Sequence, residues 1–141
     1  MYHFRKTKKK YSKLNAGDKK VSICTLCNEN NKPNVIKDND TMLVLRNRVS
    51  YDIFEGRRVT DHLMIVPKRH VEKVGEFTDK EKLDFMSLAG EYEVQGYNVY
   101  ARGMGNISRS VKHQHTHLIK TTSQKTKAVL YIAKPHILIH K

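Results

Sequence analysis

At 141 residues, the chain is long enough for one domain that buries about two-thirds of the surface its unfolded form would expose. Its two cysteines sit too close together to staple a fold, and no apolar run approaches the roughly 20 residues of a membrane span or the roughly 7–15 of a signal-peptide core. The expectation is a soluble, cytoplasmic protein without a membrane partner, and its net charge of +13 directs attention to anionic ligands.

That charge is uneven. Residues 1–20 hold eight Lys/Arg against Asp18, residues 21–93 hold eleven against thirteen acids, and the last 48 residues hold eight with no Asp or Glu. The opening "YHFRKTKKKYSKLNAGDKK" has few apolar residues and reads as a flexible basic arm over residues 1–20, a solvated surface or a nucleic-acid contact. The remainder, 21–141, reads as the folded domain. "VSICTLCNENNKPN" reads as a knuckle: a short strand, a tight CxxC turn, then polar breakers ending at Pro33. "TMLVLRNR", "VSYDIF" and "DHLMIVPK" are rich in β-branched and apolar residues and predict strands. "TDKEKLDFMSLAGEYEVQG" opens on the capping-box pattern Thr78-x-x-Glu81 and carries Phe85, Met86, Ala89 and Tyr92 at helical spacing. It predicts one long amphipathic helix. "YNVYARG", "HTHLIKT", "KAVLYIA" and "HILIHK" predict further strands. Strands around a single helix, with no βαβ rhythm and no internal repeat, give an α+β class with a mainly antiparallel sheet.

The run "SVKHQHTHLIK" places His113, His115 and His117 at alternate positions. In a strand these share one face, about 6.6–6.8 Å apart, with Gln114 and Thr116 turned away. A metal held by all three fails on reach, because the outer Cα atoms lie ~13 Å apart while metal–nitrogen bonds are ~2.0–2.1 Å. An imidazole nucleophile attacking phosphorus fits better than core packing. With a pKa of ~6.5 it is mostly neutral at pH 7 and needs no partner base. The lack of local carboxylates, which would hinder a Ser-His-Asp device, favours a phosphate substrate.

"SVKHQHTHLI" resembles the HxHxH signature of the histidine triad superfamily of nucleotide hydrolases and transferases, and "DHLMIVPKRHV" resembles that superfamily's other marked segment. The similarity spans roughly residues 22–120. It implies an antiparallel sheet with one long helix, often paired as a homodimer across the helices and a sheet edge. By position, His115 matches the nucleophile that forms a nucleotidyl-histidine, His117 the residue that contacts phosphate and assists the leaving group, and His62 the histidine facing the nucleophile. Ser110 matches a hydroxyl that bonds the phosphate. A His at the third triad position points to hydrolysis rather than uridylyl transfer. The chain departs from the pattern at Ser108 and Arg109, where many members have Gly-Gln; the longer cation would lie beside the phosphate. Asp52 is the nearest match to the acid that grips the ribose, at altered spacing.

Cys24 and Cys27 by themselves read as a redox pair or as half of a zinc site, and the βαβ context of a redox motif is missing. The resemblance to zinc-bearing triad proteins implies a structural Cys2His2 zinc site completed by His70 and His113. His136 and His140 read as strand or surface residues, His3 as part of the arm, and Lys68 and Arg69 as a turn that could touch phosphate. The expected function is hydrolysis of a phosphoanhydride or phosphoramidate bond of a nucleotide, releasing a nucleoside monophosphate, with no catalytic metal. The alternatives are an aprataxin-like nucleic-acid deadenylase, suggested by the basic arm, and a nucleic-acid-binding zinc module with an inert triad.

Overall fold

The apolar runs become strands that pair antiparallel. In the computed structural model, which describes residues 3–18, 24–27, 34–133 and 136–140, the strands are β1 (Val35–Asp38), β2 (Met42–Arg46), β3 (Ile53–Phe54), β4 (Arg57–Pro67), β5 (Asn98–Tyr100) and β6 (Thr116–Lys125). They form a six-stranded sheet in the order β1-β2-β4-β6-β5, with β3 pairing β4. The last two expected strands, β7 (Val129–Ala133) and β8 (His136–His140), make a separate hairpin. The strand expected before Cys24 and the breakers ending at Pro33 lie outside the described residues.

Alternation along β4 assigns the two faces of the sheet. Leu63 and Ile65 join Met42, Val44 and Leu118 under α2 (Asp79–Glu93), whose Leu88, Ala89 and Tyr92 complete that core. The residues of opposite parity, Met64 and Val66, pack with Leu45 and with Leu26 of the CxxC turn. Both faces of this half of β4 are covered, so it is buried throughout from His62 to Pro67. His62 and His117 lie on the face away from α2.

The helix α2 starts as expected. Thr78 accepts from the Glu81 amide, and the Glu81 carboxylate accepts from the Thr78 amide at 2.7 Å. Arg69 grips that carboxylate at 3.1 and 2.7 Å, fastening the helix start to the turn after β4. Lys68 pairs with Asp38 at the surface, 2.6 Å apart. One inward assignment fails. Met86 is 65% exposed and Leu88 takes the buried position, because the face that meets the sheet is centred on Leu88, Ala89 and Tyr92.

Three further departures matter for the site. The segment expected as a flexible arm forms a second helix, α1 (Arg5–Asp18). Its Phe4 amide and Thr7 hydroxyl donate to the two carboxylate oxygens of Asp52, at 2.7 and 3.1 Å, so a carboxylate sits at the positive end of the helix dipole. "VSYDIF" narrows to β3 alone, closed to β4 by a two-residue turn, Glu55–Gly56, with φ of 49° and 69°. Positive φ at both central residues is the hairpin turn that suits strand twist. The histidine row begins ahead of β6: of the three, only His117 is in the strand. All five residues from His113 to Thr116 and His117 are buried, Gln114 and Thr116 included, so the expected split into a lining face and an outer face does not hold.

Candidate active site and metal centre

Backbone hydrogen bonding prepares His115. Its Nδ1 lies 2.8 Å from the carbonyl oxygen of His113, so Nδ1 carries the proton and donates, leaving Nε2 with a lone pair. Burial lowers the pKa of this ring, and it is neutral at pH 7. His115 lines an open cavity of about 880 Å3 with His117, Tyr51, Arg102, Ser108 and Ser110.

His117 and His62 are tied together through Tyr51. β4 pairs with β6 so that Met64 faces His117 across the ladder, which sets His62 and His117 as diagonal neighbours on one face. The Tyr51 amide donates to His62 Nδ1 at 3.2 Å, so His62 carries its proton on Nε2 and donates it to His117 Nδ1 at 2.9 Å. His117 then holds its own proton on Nε2, 3.4 Å from the Tyr51 hydroxyl, which also accepts from Arg102 at 2.9 Å. The Asn47 side-chain nitrogen lies 3.4 and 3.1 Å from the two nitrogens of His62, nearly equidistant, and so caps the ring. Burial pushes His62 down to about 4 and His117 to about 2, the latter helped by His62 beside it. Both histidine rings are therefore uncharged at neutral pH.

The remaining candidates divide. Ser108 and Ser110 reach the cavity. Arg109 folds away from it: its guanidinium donates to the carbonyls of Glu72 and Lys112, both at 2.6 Å, and to Gln114 Oε1 at 3.2 Å. The nearby cation is instead Arg102, bonded to Tyr51 and to the Ser108 carbonyl. Asp52 is engaged by the start of α1 rather than open to the cavity. Sequence reasoning missed Tyr51, Arg102 and Asn47, whose roles rest on loop conformations that no periodicity reports. It also missed Tyr11 of α1 and His3 just ahead of that helix, which both line the cavity.

A second cluster forms where the CxxC turn meets the end of β4. The ligand atoms of Cys24, Cys27, His70 and His113 all lie within 4.8 Å of one another. His113 Nδ1 is 3.6 Å from Cys24 Sγ and 3.2 Å from Cys27 Sγ, and His70 Nδ1 is 3.3 Å from Cys27 Sγ. Tetrahedral coordination with metal–sulfur bonds near 2.3 Å and metal–nitrogen bonds near 2.0 Å places neighbouring ligand atoms about 3.5 Å apart, so the donor set fits a metal ion. The other nitrogen of His113 donates to the Pro67 carbonyl at 3.0 Å, which fixes the tautomer and directs Nδ1 at the sulfurs. Burial pushes His113 down to about 4, keeping the ring neutral as a ligand must be.

No protein-family model matches the chain, and no curated protein does. Solved structures do. A HIT family hydrolase from Clostridium thermocellum superposes with a TM-score of 0.53 at 15% identity, covering 76% of this chain and 97% of that one. This is the histidine triad fold. A hypothetical histidine triad nucleotide-binding protein from Sulfolobus tokodaii shares it at a TM-score of 0.55 and 16% identity, covering 72% of this chain and 71% of that one. So does a HIT family hydrolase from Legionella pneumophila, at 0.50 and 16%, covering 73% and 95%. Within the histidine triad fold of this chain, the expected α+β class and antiparallel sheet hold, with α1 as an addition to the single expected helix.

Proposed function

We propose that the protein is a nucleotide hydrolase that cleaves a phosphoanhydride or phosphoramidate bond at the α-phosphate and releases a nucleoside monophosphate. The observation that carries this reading is the bond from His115 Nδ1 to the His113 carbonyl, which leaves a neutral ring with a lone pair on Nε2, on a residue that lines the cavity together with Arg102, Ser108 and Ser110. Nε2 attacks the α-phosphorus; a nitrogen–phosphorus bond forms, and the bond to the leaving group breaks with its electron pair. The leaving group takes a proton from water admitted by the open cavity. Water then attacks the nucleotidyl-histidine and frees the ring. His117 and His62 position the reacting face. Arg102 supports charge developing on the phosphoryl oxygens, in the place the sequence assigns to Arg109, and Ser110 offers a hydroxyl to them.

Zinc is the ion that a Cys2His2 set suits, and four protein ligands make a closed, structural site. When bound it supplies cross-linking of the CxxC turn to β4 and to the segment before β6. The exposed Leu83 and Met86 on α2, with Val99 on the edge strand β5, support a homodimer paired through that face.

The test is turnover of a fluorogenic nucleoside phosphoramidate. His115→Asn is expected to abolish turnover while the protein stays folded and keeps its zinc, and trapping should place a nucleotide on residue 115. Residual turnover near wild type would remove His115 from the mechanism.

A further inference from the structure

The ladder between β4 and β6 ends where Ile65 faces Thr116, so His115, the residue ahead of it, stands on irregular backbone. No strand pairing holds it in place. The planar peptide unit between His113 and Gln114 is gripped on both edges instead: its N–H, on Gln114, donates to the Val71 carbonyl at 2.7 Å, and its C=O, on His113, accepts from His115 Nδ1 at 2.8 Å. Rotation of that one unit would withdraw the acceptor that fixes the His115 tautomer.

Arg109 holds the peptides beside this contact. Its Nε donates to the Val111 carbonyl at 3.3 Å, and its Nη2 to the carbonyls of Lys112 and Glu72, both at 2.6 Å, and to Gln114 Oε1 at 3.2 Å. Lys112 precedes the His113–Gln114 unit and Glu72 follows Val71, so the guanidinium staples the two segments together next to the backbone bond they share. Amide oxygens that converge in this way repel one another unless a cation sits among them. A guanidinium supplies both a permanent charge and a fork of donors at fixed angles. Arg109 is half-buried and Gln114 buried, which sets this contact apart from a solvated surface pair. On the far side, the turn that carries Glu72 is tied to the start of α2 by Arg69 and Glu81, which gives the clamp a firm base.

We propose that Arg109 is a positioning residue for the nucleophile: it clamps the segment from Val111 to Gln114 onto Val71 and Glu72, keeps the His113 carbonyl aimed at His115 Nδ1, and so holds the lone pair on Nε2. It acts through the backbone and not on the substrate. A lysine would replace the charge but not the fork, because a single ammonium is a point charge without the fixed donor angles that serve Val111, Lys112 and Glu72 together. The catalytic consequence rests on the hydrolase reading, whereas the tautomer that the clamp enforces is measurable without any substrate.

The experiment compares the intact protein with Arg109→Lys and Arg109→Gln at equal metal content, since His113 also belongs to the metal cluster. Nitrogen–proton correlation spectra of protein carrying isotope-labelled histidine, taken at neutral pH without substrate, report which ring nitrogen holds the proton; His115→Asn identifies the His115 signals. The intact protein should show His115 protonated on Nδ1 and bare on Nε2, with His62 and His117 protonated on Nε2 as internal references. In both variants the His115 signals should move to a mixture of tautomers while those of His62 and His117 stay in place. His115 retaining its Nδ1 proton in both variants would overturn the proposal, as would equal changes in all three histidines, which mark a general loss of packing. In turnover of the fluorogenic phosphoramidate, kcat should fall about ten- to a hundredfold in both variants, with KM held within about twofold. Full kcat in Arg109→Lys together with a raised KM in Arg109→Gln would make Arg109 a charge felt by the phosphate and overturn the clamp. A tautomer change without a loss of kcat would overturn its link to catalysis. If the intact protein turns over no substrate, the hydrolase reading fails and the spectra still decide the clamp; if Arg109→Gln does not fold, Arg109→Lys carries both measurements.

Discussion

Tyr51 closes a loop of hydrogen bonds in which its amide fixes His62, His62 fixes His117, and His117 returns to its hydroxyl. Removing that hydroxyl should leave the fold intact and release His117. Tyr51→Phe is therefore expected to lower kcat by about tenfold, the scale of one lost hydrogen bond to a positioned group, with little change in KM; a KM effect alone would assign Tyr51 to substrate binding instead. The same burial that keeps the histidines neutral makes stability depend on pH. An unfolded histidine takes up its proton near pH ~6.5, whereas folded His62 does so only at about 4. Between those values the unfolded chain binds more protons, so stability must fall as pH drops through that window, by up to about 1.4 kcal/mol per pH unit for the one group. Melting curves from pH 7.5 to 5 should show His62→Asn losing less stability than the wild type. Parallel losses would mean that His62 does not carry this dependence.

Two short elements do more than their lengths suggest. The CxxC turn contributes Leu26 to the cluster with Leu45, Met64 and Val66, and Cys24 and Cys27 reach His70 and His113 from two other parts of the chain. Metal-binding energy at such a junction becomes folding energy. Strong chelator, or Cys24→Ser, Cys27→Ser or His70→Ala, should lower the melting temperature and the metal content together; full stability without metal would exclude a structural ion. α1 behaves likewise. Composition marks its residues as too polar to fold alone, and the helix is held by Asp52 and by the aromatic rings of the cavity rather than by its own propensity. Deleting residues 1–14 should raise KM for a small nucleotide about tenfold, because the stacking wall goes with it, while the His115 chemistry persists. An unchanged KM would mean that substrate sits clear of the helix.

At the scale of the molecule, the two faces of the sheet have separate tasks: α2 covers one, and the triad, the CxxC turn and α1 occupy the other. The α2 side leaves Leu83 and Met86 exposed, at 72% and 65%, one turn apart on the helix. If this is the dimer face, Leu83→Glu with Met86→Glu should convert a dimer to a monomer in light scattering without loss of fold. A monomeric wild type would leave the two side chains as surface residues. The excess positive charge lies mainly on the triad side, through α1, Arg48, Arg102 and Lys112, which suits an anionic substrate arriving at that face.

Local patterns that depend on only a few neighbouring residues were legible in the chain. The capping box at Thr78 and Glu81, the apolar runs of β2 and β4, the helix over 79–93 and the spacing of His113, His115 and His117 each follow from short-range geometry, and the order of the two histidine segments was enough to indicate the fold. Contacts between distant segments were not legible, because side-chain partners across tens of residues leave no period in the sequence. Nothing in the string says that Arg109 turns back onto Glu72 and Gln114 while Arg102 enters the cavity, or that Met86 rotates outward and Leu88 inward. Asp52 illustrates the limit best: its carboxylate has the right chemistry for a ribose, yet in the folded chain both of its oxygens are taken by the start of a helix that composition alone marks as an unstructured arm. Charge and polarity set what a segment does when isolated; the tertiary structure supplied the anchoring carboxylate and the aromatic wall that make those same residues a helix over the site.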